Sequence, residues 1–325
     1  MEMVLNIILL VAGFVALVKG ADLFVDGSSS IAAIFKVPSV IIGLTIVALG
    51  TSAPELAVST SAALKGSNEI ALSNVVGSNI FNLLMVLGVC AVIKPLPITK
   101  VIKKRDFPLS IVVTAALFGV LALQMIGKVD FGAVKMSDNV SEVSRIIGIS
   151  LLVLFIIYIV ILIISAIKNK TEGEPTKTMS PLKSILFIII GLALIIAGGQ
   201  FVVNSAKFIA AAFGMSETLI GLTVVAFGTS LPELVTSIVA SRKGENELAV
   251  GNVVGSNIFN MMFILGISAA LHPITVNFAC MTDFAILIVA SIMVFIFALK
   301  NKITRAEGIV MILFYIATVV FAAVR

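Results

Sequence analysis

Long apolar runs, interrupted by short clusters of charged residues, proline or glycine, dominate this chain. They predict helices near residues 4–32, 39–64, 70–93, 107–126 and 145–167, then near 182–212, 217–241, 247–271, 281–299 and 306–324. A membrane span needs roughly 20 apolar residues as a helix, and every run reaches or approaches that length. The first and sixth runs are the longest and carry polar residues inside them: Lys19, Asp22 and Asp26 in one, Gln200, Asn204 and Lys207 in the other. Residues 168–180 form the most polar stretch and read as a linker. The pattern predicts an all-α integral membrane protein of ten transmembrane helices in two five-helix halves, residues 1–167 and 181–325.

Composition sharpens this picture. Of 325 residues, 60% are hydrophobic and 12% charged, with a mean hydropathy of +1.21. A soluble domain carries about 25% charged residues, so no sizeable soluble domain is expected. The net charge of +5 is spread over loops rather than gathered in a patch, which argues against a nucleic-acid partner. The basic residues instead report orientation through the positive-inside rule. With the N-terminus outside, the loops assigned to the cytoplasm hold 15 Lys and Arg residues against 6 on the other side. The expected location is therefore the plasma or inner membrane, multi-pass, with both termini outside and the linker cytoplasmic. Met1-Glu2-Met3 lacks the basic start of a secretory signal, so the first run is read as a retained helix. Cys90 and Cys280 fall in apolar runs, so no disulfide, metal or redox role is inferred.

Within this apolar background one sentence of 35 residues occurs twice, at 48–82 and 226–260. Aligned without a gap at an offset of 178 residues, the copies agree at 23 of 35 positions. The agreement includes Gly-Thr-Ser-x-Pro-Glu and Asn-Val-Val-Gly-Ser-Asn-Ile-Phe-Asn. Packing alone would preserve apolar character, not polar letters at fixed spacing, so the repeat reads as a duplicated ion or substrate site. Five spans separate the copies, so they must enter the membrane with opposite orientation. Inverted repeats of this kind build secondary transporters whose sites lie near the midplane. Channels can be built from them too.

The chemistry centres on Glu55 and Glu233. A carboxylate at mid-membrane costs roughly 2.5–3.5 kcal/mol on insertion scales and is functional by default. Pro54 and Pro232 precede the glutamates; a proline lacks an N–H, so the carbonyl four residues back loses its partner and invites a polar or positive group. No Lys or Arg lies in the repeat cores to neutralise the pair. Oxygen donors without His or Cys suit Ca²⁺, Na⁺ or Mn²⁺ rather than zinc or copper. Asn74, Ser78 and Asn82, mirrored by Asn252, Ser256 and Asn260, recur every fourth residue and form one polar stripe on a helix face. Small polar residues also hydrogen-bond neighbouring helices in membranes; duplication opposite a Pro-Glu break favours a site.

These motifs resemble the alpha repeats of the cation/calcium exchanger superfamily, specifically its prokaryotic sodium/calcium exchangers with two alpha repeats, here at 42–88 and 220–266. The resemblance implies antiport of Na⁺ against Ca²⁺ by alternating access, with both ions competing for one midplane site. Carried over by position, Glu55 and Glu233 would chelate Ca²⁺ together with the main-chain carbonyls of Thr51 and Thr229. Ser52, Ser78, Ser230 and Ser256 would complete outer Na⁺ sites, and Asn82 and Asn260 would lie beside the glutamates. The carbonyls of Ala48 and Ala226 are further candidates. The first and sixth helices would slide across the other eight. Proton-coupled members have a glutamate where this chain has Gly77 and Gly255, and potassium-dependent members have aspartate where it has Asn260. Both departures favour plain sodium coupling. Ser73 stands where the other copy has Gly251, and no function attaches to it.

The alternatives are exchange of Ca²⁺ or another divalent such as Mn²⁺ for H⁺, and a passive cation channel. An enzyme is not expected, because the glutamates have no His, nucleophile or metal cluster in their segments. No cofactor and no obligate protein partner are inferred; Na⁺, Ca²⁺ and membrane lipid are the expected partners. His272, at a helix end, reads as structural, and Lys94, Lys100, Lys103, Lys104 and Arg105 as topology signals.

Overall fold

A computed structural model describes residues 2–127, 129–168, 178–214 and 226–325, apart from the side chains at 68, 69 and 226. The linker's centre and the first part of the predicted 217–241 helix lie outside the described residues. The spans are α1 (Glu2–Phe35), a bent pair α2 (Ser39–Thr51) and α3 (Ala53–Leu64), α4 (Ile70–Ile93), α5 (Ile102–Met125) and α6 (Arg145–Lys168). After the linker come α7 (Pro181–Ala212), the short α8 (Ala226–Thr229), α9 (Leu231–Arg242), α10 (Asn246–Leu271), α11 (Phe278–Ala298) and α12 (Arg305–Val324). Among the described residues, eight helices can cross a membrane, or nine with the α2–α3 pair as one span. The remaining predicted span, the seventh at 217–241, is represented among the described residues by α8 and α9. α5 begins earlier than the apolar pattern suggested, because a π-helical turn at Ile102–Asp106 takes Lys103, Lys104 and Arg105 into the helix.

The longest helices, α1 and α7, have 34 and 32 residues. At 1.5 Å per residue that is about 50 Å, well beyond the roughly 30 Å hydrocarbon core. They run antiparallel on a ladder of small residues: Gly13 meets Gly198, Gly20 meets Gly191, and Gly27 meets Ser184. A methyl at Gly20 would lie 2.8 Å from the Gly191 carbonyl oxygen, and one at Gly191 would lie 2.7 Å from that of Gly20. The rungs are seven residues apart, close to two helical turns, so they share one face. Such small-residue seams let backbones approach closely in a membrane, where hydrophobicity cannot drive helix association.

α4 and α10, which carry the second half of each repeat, are the most enclosed spans. Around them lies an apolar core including Leu72, Leu84, Val253, Leu265 and Phe284. Short antiparallel strands tie the membrane ends together, a feature the all-helical reading did not anticipate. β1 (Leu96–Pro97) pairs with β4 (Lys302–Ile303), and β2 (Asn139–Val143) with β3 (Ile274–Asn277). α12 starts on a capping box, with Thr304 and Glu307 bonding each other's backbone N–H.

Candidate cation-binding site

The Gly-Thr-Ser-x-Pro-Glu segments form joints between two helices rather than proline kinks within one. α2 stops at Thr51, Ser52 turns the chain (φ −85°, ψ 9°), and α3 leaves at 50°. Pro54 and Glu55 fall in the first turn of α3. First-turn amides have no intrahelical acceptor, so the missing proline N–H costs nothing there, and a carboxylate sits well beside the positive helix end. The second copy repeats the construction: Ser230 (φ −94°, ψ 6°) joins α8 to α9, with Pro232 and Glu233 in the first turn.

The joints then exchange hydrogen bonds. The Ser52 hydroxyl donates to Glu233 Oε1 at 2.8 Å, and the Ser230 hydroxyl donates to Glu55 Oε1 at 2.9 Å. Ser78 Oγ lies 3.4 Å from Glu55 Oε1 and 3.0 Å from Ser230 Oγ; Ser256 Oγ lies 3.5 Å from Glu233 Oε1. Thr51 donates to Asn252 Oδ1 and Thr229 to Asn74 Oδ1, at 3.1 and 3.3 Å. Asn74 and Asn252 are held in turn by Ser59 and Ser237, at 2.8 and 3.0 Å. Apart from the Ser230–Ser78 contact, each of these bonds has a counterpart 178 residues away in both partners.

Both glutamates are fully buried, as are Thr51, Ser52, Ser230, Ser256, Asn82 and Asn260. Each carboxylate satisfies one oxygen on serines and leaves the other, Oε2, with no hydrogen-bond partner. Neither amide atom of Asn82 is partnered, nor is Asn260 Oδ1. Buried polar atoms without partners are costly and rare. Apart from Asn82 Nδ2 these are oxygens, the donor set of hard cations. Among the described residues no group of three His, Cys, Asp or Glu side chains exists, so the acidic centre is this pair. Asn82 opens a π-helical turn at Asn82–Val86, and Asn260 stands in another at Phe259–Ile264. π turns inside α-helices frequently mark functional positions.

The structure thus gathers the six expected side chains into two hydrogen-bonded triads, Glu55 with Ser230 and Ser78, and Glu233 with Ser52 and Ser256. The Thr51 and Thr229 hydroxyls point to the opposite repeat's asparagines. The Ala48 carbonyl already accepts the Ser52 N–H at 3.0 Å. Asn74, Asn252, Ser59 and Ser237 support the joints, and Asn79 and Asn257 bond to each other across α4 and α10; none of these was among the expected ligands. Identical polar letters at these six positions in both copies were the available signal. Of the polar residues in the first run, Asp22 and Asp26 pair with Lys243, at 3.3 and 2.7 Å, rather than with Lys19.

A buried acidic pair held between crossed helix joints in a multi-pass helical membrane protein defines the class: an ion transporter rather than an enzyme. The chain belongs to the sodium/calcium exchanger protein family, whose model matches residues 5–164 and 183–324. It is 33% identical to the sodium/calcium exchanger MaX1 of Methanosarcina acetivorans, over 97% of either chain. It is 35% identical to the inner membrane protein YrbG of Escherichia coli, over 91% of this chain and 89% of that one. A solved structure of the sodium-calcium exchanger NCX_Mj superposes with a TM-score of 0.83 at 31% identity, covering 99% of both chains.

Proposed function

We propose that this protein is a secondary antiporter exchanging Na⁺ for Ca²⁺ by alternating access, with the ions competing for the Glu55–Glu233 centre. One observation carries the reading: two fully buried glutamates, each leaving one carboxylate oxygen unpartnered, bonded through each other's serines. The names of its relatives, a sodium/calcium exchanger among them, support it. One Ca²⁺ or two Na⁺ neutralise two carboxylates, so the two loads exclude each other. A third Na⁺, held by hydroxyls and carbonyls, would make the loaded carrier positive. Its movement would then respond to voltage at about 2.3 kcal/mol per charge per 100 mV.

Ca²⁺ takes six to eight oxygens at roughly 2.3–2.6 Å. Glu55, Glu233, the carbonyls of Thr51 and Thr229, Asn82 and Asn260 supply that class of donor. Ser52, Ser78, Ser230 and Ser256 serve flanking Na⁺ sites, with the Ala48 and Ala226 carbonyls behind them. The reciprocal bonds at an offset of 178 support inverted repeats over 1–167 and 181–325, joined by the linker 168–180. Strand pairing of the loop after α4 with that before α12 supports a shared membrane face for those loops. The Lys243 bond to Asp26 and the Ser30 bond to Met179 likewise group the end of α1, the start of α7 and the loop after α9. These are loops that the charge bias assigns to the cytoplasm, with both termini outside. The α1–α7 seam makes one long unit that can slide against the remaining helices.

The test is ⁴⁵Ca²⁺ uptake into Na⁺-loaded proteoliposomes diluted into Na⁺-free buffer, beside K⁺-loaded vesicles and Glu233→Gln. Uptake that requires internal Na⁺ and vanishes in the variant supports the reading. Uptake driven by a pH gradient without Na⁺ transfers the protein to proton-coupled exchange. Flux without any counter-ion makes it a channel.

A further inference from the structure

At the centre of the molecule, α4 and α10 are joined by a two-way amide clasp that the cation reading does not use. Asn79 Nδ2 donates to the Asn257 carbonyl and Asn257 Nδ2 donates to the Asn79 carbonyl, both at 3.2 Å and both buried. One turn further along each helix stands a site asparagine, Asn82 or Asn260. Here the symmetry fails. Asn260 Nδ2 donates to Asn79 Oδ1 at 3.0 Å, whereas the mirror bond, from Asn82 to Asn257, is not made. Asn257 Oδ1 and both amide atoms of Asn82 have no partner.

An amide is a cation ligand only through its oxygen, and flipping it presents two donors instead. By taking the Asn260 NH₂ group, Asn79 fixes that flip and leaves Asn260 Oδ1 unpartnered and buried. Nothing fixes Asn82 in this conformation. We infer that Asn79 and Asn257 are positioning residues that decide which central asparagine offers an oriented oxygen to the cations. Asn79 orients Asn260 in the present conformation, and Asn257 orients Asn82 in the counterpart one. The clasp itself is symmetric, so it holds α4 against α10 throughout while the tether changes sides. This rests on Glu55 and Glu233 forming the cation site. It adds a coupling between ion coordination and conformational state through two residues outside the ligand set.

Equilibrium ⁴⁵Ca²⁺ binding to purified full-length protein tests it without assuming Na⁺ coupling. Removing a group that orients a metal ligand typically weakens metal affinity about 10–100-fold, so Asn79→Ala is expected to raise the Ca²⁺ Kd at least about tenfold. Asn257→Ala breaks the same clasp but leaves the tether to Asn260, and should change Kd less than about threefold. A purely structural clasp would make the two variants equivalent, and that result overturns the inference. Asn260→Asp supplies the second arm: both its side-chain oxygens are acceptors when ionised, so there is no flip to fix. In that background, adding Asn79→Ala should leave Kd unchanged or lower it, by relieving oxygen–oxygen repulsion; a further tenfold loss would overturn the inference. Should Asn79→Ala not fold, Asn79→Ser replaces it, with a hydroxyl one bond too short for the tether and the same outcomes. Failure of the site reading is separately visible, as unchanged Ca²⁺ binding in Glu233→Gln.

Discussion

Substituting Gly20 by alanine probes the α1–α7 seam where its geometry is most demanding. The added Cβ would stand 2.8 Å from the Gly191 carbonyl oxygen, 2.9 Å from the Ile195 nitrogen and 2.9 Å from Leu194 Cβ. Ordinary contacts begin near 3.5 Å, so the helices must part by about 0.6–0.7 Å. Two of the three obstacles are backbone atoms, which cannot rotate away. Overpacking of this kind costs about 1–3 kcal/mol, while alanine recovers up to about 1 kcal/mol of helix propensity. The expected net loss is about 1–2 kcal/mol, a thermal midpoint lower by several degrees. Gly119→Ala is the control: the same change in α5, where the new methyl meets nothing within 4 Å, and it should hold or raise the midpoint. Gly191→Ala, facing Gly20 across the seam, should resemble Gly20→Ala. The double variant should fall short of additivity, because one separation relieves both clashes. Thermal unfolding in detergent, followed by scintillation exchange assays on the survivors, reads the outcome. Equal midpoints for Gly20→Ala and Gly119→Ala would refute the close approach of α1 and α7.

Four further outcomes follow from the same contacts. Glu55→Gln removes a buried charge, so the ion-free protein should keep or gain stability, yet lose Ca²⁺-dependent stabilisation, which at a hundredfold excess over Kd is about 2.7 kcal/mol in the unaltered protein; thermal midpoints with and without Ca²⁺ decide it. Ser52→Ala removes the 2.8 Å bond to Glu233 Oε1 and Ser230→Ala its counterpart to Glu55; bonds to charged groups are worth about 1.5–3 kcal/mol, so each variant should weaken Ca²⁺ binding about tenfold or more, with unequal effects arguing against the symmetry of the cluster. Lys243→Ala breaks a half-exposed pair with Asp22 and Asp26, so its effect on the midpoint should stay below about 1 kcal/mol and fade at high salt. Thr304→Ala breaks the capping box of α12 and should cost about 1 kcal/mol with Ca²⁺ affinity unchanged, measured by unfolding beside ⁴⁵Ca²⁺ binding.

Much of the architecture was legible along the chain, because the membrane forces each span to declare itself. Apolar runs had to match the bilayer's thickness, and helix boundaries mostly fell within a few residues of their expected places. The exceptions have identifiable causes. α5 extends through Lys103, Lys104 and Arg105 because a π turn continues the helix into charged sequence, where Arg105 pairs with Asp106 at 2.7 Å. The short strands escaped notice because pairs such as Leu96 with Ile303 depend on loops far apart in sequence. The glycine ladder was visible as Gly13, Gly20, Gly27 against Gly191 and Gly198, but each set has meaning only once its partner helix is known.

The sequence by itself determined the membrane class, the duplication and the polar residues that recur in both copies, since identical polar letters in hydrocarbon have few reasons to recur beyond a shared role. Only the tertiary structure decided how they combine. It turned each Pro-Glu segment into a joint between helices and crossed the serines, so that Ser52 serves Glu233 and Ser230 serves Glu55. It also made the two copies unequal, tethering Asn260 while leaving Asn82 unheld. The physical reason is the range of the information. Hydrophobic length and polarity are properties of single residues and short windows, whereas a hydrogen bond across 178 positions exists only after the two copies have packed and donors on one have met acceptors on the other.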